Sequence, residues 1–199
     1  MKLIFLPGAS GSTDFWMPVK QNFATDFATQ ILSYPSFGGY PDQSEVNSMA
    51  DLQQYVLDQI DQPIVIIAQS MGGIFAVQAA LQKPNLIQAL VLVATSGGMD
   101  LSAFNVKNWR SEYQNSYAVP DWFVQDQTRL ESDLSKVSCP VLLVWGDADE
   151  ISPVRVGEYL ASQFSHSQLE IISEGEHDLG REHADECTLL IKEFLALHF

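Results

Sequence analysis

Three short runs of almost continuous aliphatic residues constrain the fold of this 199-residue chain most strongly. They occupy residues 64–68, 89–94 and 141–145, and each has the length of a single strand. Strands with this composition are buried on both faces, because helices cover both sides of a parallel sheet. The runs therefore predict an α/β fold, not a sheet with one face in water.

Further strand-like and helical segments alternate along the chain. The other predicted strands are residues 3–6, 30–34 and 169–172. Apolar residues at spacings of three and four predict helices between the strands. The predicted helices are residues 46–60 behind Ser44 as N-cap, 72–81, 154–164 behind Ser152 as N-cap with Pro153 in first position, and 184–195. This alternation predicts one α/β domain over residues 1–199, with a doubly wound, mostly parallel sheet of about six strands.

The charge of the chain narrows the classes of molecule that it can bind. The chain has 10 Lys and Arg against 25 Asp and Glu, a net charge of −15, which repels phosphate backbones and anionic lipids. Nucleic acid is therefore not expected as a partner.

Cys139 and Cys187 make no disulfide framework and are expected to be small buried apolar residues. No apolar run approaches the roughly 18 residues of a membrane span, and none at the start suits a signal peptide, so we expect a cytoplasmic protein.

One connection is much longer than the others. Residues 95–140 separate the fourth and fifth predicted strands, and a connection of this length in a compact α/β unit usually has a function. Its aromatic residues include Phe104, Trp109, Tyr113, Tyr117, Trp122 and Phe123. So many aromatic rings do not suit a solvated loop, and two interpretations are open. The rings line a pocket, or they complete the core beside a sheet edge.

The strongest functional signal is a serine between a strand and a pair of glycines. Ser70 follows the run that ends at Ala68 and precedes Gly72 and Gly73. A serine on a tight strand-to-helix turn is held in strained backbone geometry with its hydroxyl exposed. Small residues are needed two positions before and after it, since the strand and the helix approach closely there. The alternative is a purely structural role, in which Ser70 only caps the following helix.

A serine nucleophile needs a base, and the base needs an acceptor for its second ring nitrogen. Histidine is the usual base near neutral pH. The candidate bases are His166, His177, His183 and His198. The candidate acceptors are Asp147, Asp149 and Glu150 after the fifth predicted strand, and Asp100 after the fourth. The residues alone leave these alternatives open.

Together these features resemble the α/β-hydrolase superfamily, whose nucleophile turn has the pattern Gly-x-Ser-x-Gly. Ala68 stands where that pattern has its first glycine. The superfamily places its base after the last strand and commonly places its acid three residues after a strand-end glycine. The resemblance thus implies that Ser70 is the nucleophile, His177 the base and Asp149 the acid. Asp100 is the minority alternative, because some relatives place the acid after the fourth strand.

The superfamily commonly inserts a cap after the fourth of these strands, so the resemblance implies that residues 95–140 form a small cap over the active site. It also implies an oxyanion hole and a trimmed sheet. The two backbone N–H donors of the oxyanion hole are expected from Met71, which follows the nucleophile, and from Ala9 in the loop after the first strand. Many relatives have His-Gly in that loop, whereas this chain has Pro7-Gly8. Family members usually have two more strands before this one, which implies a shortened core of six strands. No metal or coenzyme is expected.

The expected activity is that of a serine hydrolase acting on a small carboxylic ester or thioester. Its expected partner is therefore a small-molecule substrate. Because one fold supports many reactions, two alternatives are open. The first is a carbon–carbon bond hydrolase or lyase of the same superfamily. The second is a non-catalytic binding protein on a hydrolase scaffold.

Overall fold

A single parallel sheet organises the part of the chain that the computed structural model describes, residues 1–104, 106 and 119–199. Its strands are β1 (Lys2–Leu6), β2 (Ala28–Ile31), β3 (Ile64–Gln69), β4 (Ile87–Val93), β5 (Val141–Gly146) and β6 (Ser167–Ile172). Their spatial order is β2-β1-β3-β4-β5-β6, and every neighbouring pair is parallel. The predicted doubly wound α/β sheet of six strands is confirmed.

Helices cover both faces of this sheet. The α-helices are α1 (Met17–Gln21), α2 (Met49–Asp58), α3 (Met71–Gln82), α4 (Asp121–Gln125), α5 (Val154–Gln163), α6 (Leu179–Glu182) and α7 (Ala184–His198). Short 3-10 helices are Thr13–Trp16, Ser102–Phe104 and Glu131–Lys136. Among the described helices, including the 15-residue α7, none combines the length and apolarity that crossing a bilayer requires.

The two sides of each central strand enter different cores. In β1, Ile4 and Leu6 pack in a cluster with α2, α3 and α5, whereas Leu3 and Phe5 pack in a second cluster with α1 and α7. Successive side chains of a strand point to opposite faces, so a strand covered on both sides needs apolar residues on both faces. This is the physical reason for the continuous aliphatic runs in the sequence.

The edge strand β2 begins two residues earlier in the chain than predicted. The sequence predicted residues 30–34, but the strand is Ala28–Ile31. The apolar residues that suggested a later strand lie in the turn after β2, where they are buried. Tyr34 is buried, and its hydroxyl donates to the carbonyl of Pro7 at 3.0 Å. Because an edge strand is covered on fewer sides, its own residues are only partly buried and give a weaker pattern.

Two predicted helix caps are also wrong. The N-cap of α2 is Ser48, whose hydroxyl accepts from the N–H of Asp51 at 3.1 Å, whereas Ser44 lies outside the helix and donates to Glu45. At α5 the cap position belongs to Pro153, not Ser152. The backbone N–H of Ser152 instead donates to the Asp149 carboxylate at 2.8 Å.

The strand order locates the crevice in which ligands of such sheets bind. β1 lies between β2 and β3, so the direction in which strands are added to the sheet reverses at β1. In open α/β sheets, ligands bind at such a switch point, beside the carboxyl ends of the strands. The loop after β1 and the turn after β3 meet at this point.

Candidate active site

Ser70 occupies a strained turn between β3 and α3. Its φ and ψ are 51° and −119°, a positive φ that residues other than glycine rarely adopt. Its backbone N–H donates to the carbonyl of Val93 at 3.0 Å. Ser70 stands at the N-cap position of α3, but its side chain makes no capping hydrogen bond, so a capping role does not account for the serine. Such strain persists only where surrounding contacts enforce it, and it concentrates at functional sites.

The small residues around Ser70 are required by close packing. A Cβ atom on Gly72 would lie 2.6 Å from the carbonyl oxygen of Pro7 and 2.7 Å from that of Leu6. Ala68 is fully buried and pairs in register with Leu6 on one side and Leu92 on the other. The alanine methyl group therefore fits at the position where the family pattern has glycine.

Asp149 and His177 are hydrogen-bonded to each other. The distance from Asp149 Oδ2 to His177 Nδ1 is 2.8 Å, and the other carboxylate oxygen accepts from the N–H groups of Ile151 and Ser152, each at 2.8 Å. The Asp149 side chain is 0% exposed and that of His177 is 11% exposed. A carboxylate in this position keeps the imidazole proton on Nδ1, so Nε2 is available as an acceptor.

Backbone contacts join the two loops that carry this pair. The N–H of Ala148 donates to the carbonyl of Gly175 at 3.0 Å, and Asp147 Oδ1 accepts from the N–H of Glu174 at 2.7 Å. A Cβ atom on Gly146 would lie 2.0 Å from the oxygen of Gly175, so a larger residue would push the loops apart. Asp147 thus stabilises the loop that bears the histidine and does not contact the imidazole.

Two of the other candidates, the acid Asp100 and the base His183, have different surroundings. Asp100 forms an ion pair with Arg129 at 3.3 Å. It also accepts from the N–H of Ser102, a hydrogen bond that is the main reason its pKa is lowered from the usual value. His183 pairs with the exposed Glu186 at 3.2 Å, on the surface side of α7. Neither arrangement resembles the buried contact of Asp149 with His177.

Ser70 and His177 line one cavity of about 320 Å³. Its apolar lining consists of Met49, Met71, Ile74, Ala94, Met99, Leu101, Val106, Phe123 and Ile151. Its remaining lining consists of Ser96, Asp100, Ser102, Asp126, Gln127, Arg129 and Ser152. A second cavity, of about 640 Å³, lies at the opposite ends of the strands beside Met1 and Phe199, and no predicted site residue lines it.

The loop after β1 passes directly against Ser70. A Cβ atom on Gly8 would lie 3.2 Å from the Cβ of Ser70, and 2.1 Å from the side-chain oxygen of Gln69. Ala9 and Met71 are both buried, and Met71 lines the cavity. The structure thus brings together the two segments from which oxyanion donors are expected.

Thr95, to which no sequence motif pointed, contacts the turn that carries Ser70. Its Oγ1 donates to the carbonyl oxygen of Ser70 at 2.5 Å. The available signal was its position, since it follows β4, the neighbour of β3, at the same edge of the sheet.

The aromatic residues of segment 95–140 have different environments. Trp109, Tyr113 and Tyr117 lie outside the described residues. Of the described ones, Phe123 is buried and lines the cavity. Trp122 packs edge-on against Phe37 with ring centres 5.7 Å apart. The cavity wall and the core therefore each receive some of these rings.

Neither of the two cysteines lines the cavity that Ser70 and His177 share. Cys139 and Cys187 are free, and burial raises their pKa values to about 11 and about 12. Cys187 is buried as expected, whereas Cys139 is only half-buried. Within the described residues, no group of three or more His, Cys, Asp or Glu side chains is placed to hold a metal ion.

Comparison with known proteins agrees with this fold. The family model for the alpha/beta hydrolase fold matches residues 2–114. A 2-hydroxy-6-oxononadienedioate/2-hydroxy-6-oxononatrienedioate hydrolase of Cupriavidus pinatubonensis is 24% identical over 240 residues of alignment, which include 95% of this chain and 83% of that protein.

Solved structures show the same likeness. A thermophilic esterase from Thermogutta terrifontis superposes with a TM-score of 0.79 at 18% identity, over 100% of this chain and 91% of the esterase. Est816, described as an N-acyl homoserine lactone degrading enzyme, superposes with a TM-score of 0.81 at 18% identity, over 98% and 93% of the two chains. The chain therefore belongs to the α/β-hydrolase fold family, and it is a hydrolase of that superfamily.

Proposed function

We propose that this hydrolase cleaves a small carboxylic ester or thioester through an acyl-enzyme on Ser70. The observation that carries the proposal is the 2.8 Å contact between Asp149 and His177, with His177 and Ser70 lining one cavity. A nucleophile, a base and a group that orients the base are the parts that acyl transfer requires.

The proposed reaction has two halves. Ser70 Oγ attacks the substrate carbonyl while His177 Nε2 takes the hydroxyl proton, and Asp149 stabilises the resulting imidazolium. His177 then gives the proton to the leaving alkoxide or thiolate as the bond to the carbonyl carbon breaks. Water attacks the acyl-enzyme in the second half, again with His177 as base, and releases the acid and free Ser70.

The negative charge that develops on the carbonyl oxygen is assigned to two backbone donors. These are the N–H groups of Ala9, in the loop after β1, and of Met71, which follows Ser70 at the start of α3. Preorganised donors of this kind stabilise the oxyanion without reorganisation during the reaction. Met71 is also the first residue of α3, whose N-terminus favours negative charge.

The cavity indicates a small substrate. Its volume of about 320 Å³ is near the lower end of the roughly 300–1,000 Å³ range of ligand pockets. Apolar side chains such as Ile74 and Phe123 in its wall suit a short acyl chain.

A series of p-nitrophenyl esters and acyl thioesters with graded acyl length tests this function. We expect the highest kcat/KM with short acyl chains, and loss of turnover in the Ser70→Ala variant. A folded wild-type enzyme that turns over no ester and no thioester would contradict the proposal.

A second candidate is carbon–carbon bond hydrolysis. The relative from Cupriavidus pinatubonensis is named for 2-hydroxy-6-oxononadienedioate, a substrate without an ester group, so its hydrolysis breaks a carbon–carbon bond. That substrate has two carboxylates, and Arg129 lines the cavity of this chain. Turnover of this dienedioate with a higher kcat/KM than any ester, and its loss in Arg129→Gln, would favour this second activity.

The proposed role of segment 95–140 as a cap makes a separate prediction. We expect Phe123→Leu to shift the preferred acyl length upwards, because a smaller side chain in the wall enlarges the cavity. Trp122→Leu is the matched control, since this neighbouring ring packs on Phe37 and not in the cavity wall. The measurement is kcat/KM against acyl length for both variants, with Tm measured in parallel.

The cap proposal fails if both variants lose activity equally on every ester while Tm drops. That result would show that the described rings of the segment only complete the core.

A further inference from the structure

We infer that Thr95 is a positioning residue that orients the oxyanion donor of Met71. This inference rests on the proposed function, because it concerns the same oxyanion hole. The structural evidence is a hydrogen bond from Thr95 Oγ1 to the carbonyl oxygen of Ser70 at 2.5 Å.

Peptide planarity connects this bond to the oxyanion hole. The carbonyl of Ser70 and the N–H of Met71 belong to one peptide group, which is planar, and the described chain contains no cis peptide bond. In a trans peptide the C=O and N–H point in opposite directions. A donor that fixes the Ser70 oxygen on one side therefore also fixes the direction of the Met71 N–H on the other.

The Thr95 hydroxyl is well placed to act as a fixed donor. Thr95 is 0% exposed, and its Oγ1 also accepts from the N–H of Gly97 at 3.0 Å. Because that N–H points at a lone pair, the hydroxyl proton is left for the Ser70 carbonyl. The same carbonyl accepts from the N–H of Gly73 at 3.0 Å. Two donors from different segments thus hold one oxygen.

This contact also explains the second glycine after the nucleophile. A Cβ atom on Gly73 would lie 2.3 Å from Thr95 Oγ1 and 2.6 Å from its Cγ2. Gly72 makes room for the carbonyls of β1, whereas Gly73 makes room for the threonine. The glycine pair thus serves two separate contacts, one on each side of the turn.

Loss of the hydroxyl is expected to act on the transition state and not on substrate binding. The oxyanion forms only during the reaction, so its donor stabilises the transition state more than the ground state. Without Thr95 Oγ1, the strained peptide between Ser70 and Met71 keeps a single donor on its carbonyl. Small misplacements of catalytic groups are costly, up to about 100-fold in rate for about 1 Å.

The test compares Thr95→Val, Thr95→Ser and Thr188→Val in the full chain. We expect Thr95→Val to lower kcat on the best p-nitrophenyl ester by about 10- to 100-fold with little change in KM, below the roughly 10²- to 10³-fold cost of removing a donor outright. Thr95→Ser keeps the hydroxyl and should restore most of kcat. Affinity for a tetrahedral boronic acid inhibitor should fall in parallel with kcat.

Thr188→Val is a matched control in α7. Its hydroxyl also donates to a backbone carbonyl, that of Ala184 at 2.7 Å, and accepts from a nitrogen donor, the side-chain amide of Asn22, at 3.2 Å. We expect a similar loss of Tm in both valine variants, with kcat reduced only in Thr95→Val. If Thr95→Val does not fold, Thr95→Ala removes the same hydroxyl without adding a methyl group.

Equal kcat in Thr95→Val and Thr188→Val, with Ser70→Ala inactive, would overturn this inference and leave the proposed function intact. A KM that rises while kcat is unchanged would overturn it too. Full turnover by Ser70→Ala would instead refute the proposed function itself.

Discussion

Ser70→Ala is expected to lower kcat by about 10⁶-fold, since removal of the nucleophile in a catalytic triad has an effect of this size. The remaining side chains still bind substrate, but none supplies a covalent path. The backbone geometry at position 70 is imposed by its surroundings, including the 3.0 Å bond from the Ser70 N–H to Val93, and this contact does not involve the hydroxyl. We therefore expect an unchanged fold, measured by circular dichroism and Tm.

Ser102→Ala is the control for this variant. Ser102 lines the same cavity, and its N–H donates to Asp100 and not to Asp149 or His177. Its turnover should stay near that of the wild type. Retention of more than a tenth of wild-type kcat by Ser70→Ala would end the assignment of Ser70 as nucleophile.

Asp149→Asn is expected to lower kcat by about 10⁴-fold, as in other triads that lose the carboxylate without losing its shape. One carboxylate oxygen accepts two N–H groups, from Ile151 and Ser152. The oxygen of the introduced amide must stay there, so its NH₂ group faces His177 Nδ1. An NH₂ donor at that nitrogen favours the tautomer with the proton on Nε2, which cannot take the proton of Ser70.

Two further asparagine variants serve as matched controls. Asp147→Asn keeps an oxygen for the N–H of Glu174, and Asp100→Asn removes the ion pair with Arg129. Both are expected to keep kcat within about tenfold of wild type, because neither carboxylate contacts the imidazole. A large loss confined to Asp100→Asn or Asp147→Asn would reassign the acid.

Sequence patterns were most informative where burial was complete. β3 and β5 begin where the aliphatic runs predicted, since both faces of each strand are covered and both therefore favour apolar residues. Ser70, Asp149 and His177 follow strands of one parallel sheet, so their carboxyl-end positions already predicted a common edge. The structure adds the contact between Asp149 and His177.

Features that depend on neighbours distant in the sequence were not predictable. The N-cap of α2 is Ser48 and not Ser44, because the helix begins where Ser48 Oγ meets the N–H of Asp51, and both serines precede the same apolar pattern. Thr95 reaches the Ser70 carbonyl only because β4 lies beside β3. The spacing of residues along the chain predicts neither the first residue of α2 nor the contact between Thr95 and Ser70.

Covalent labelling with a fluorophosphonate, followed by peptide mass spectrometry, tests the central claim most directly. These reagents react with serines that an adjacent base activates, and they need no knowledge of the substrate. We expect a single adduct on the peptide that contains Ser70, absent in Ser70→Ala and formed far more slowly in Asp149→Asn. A folded wild-type protein that forms no adduct, or forms it on another serine, would contradict the assignment of Ser70 as an activated nucleophile.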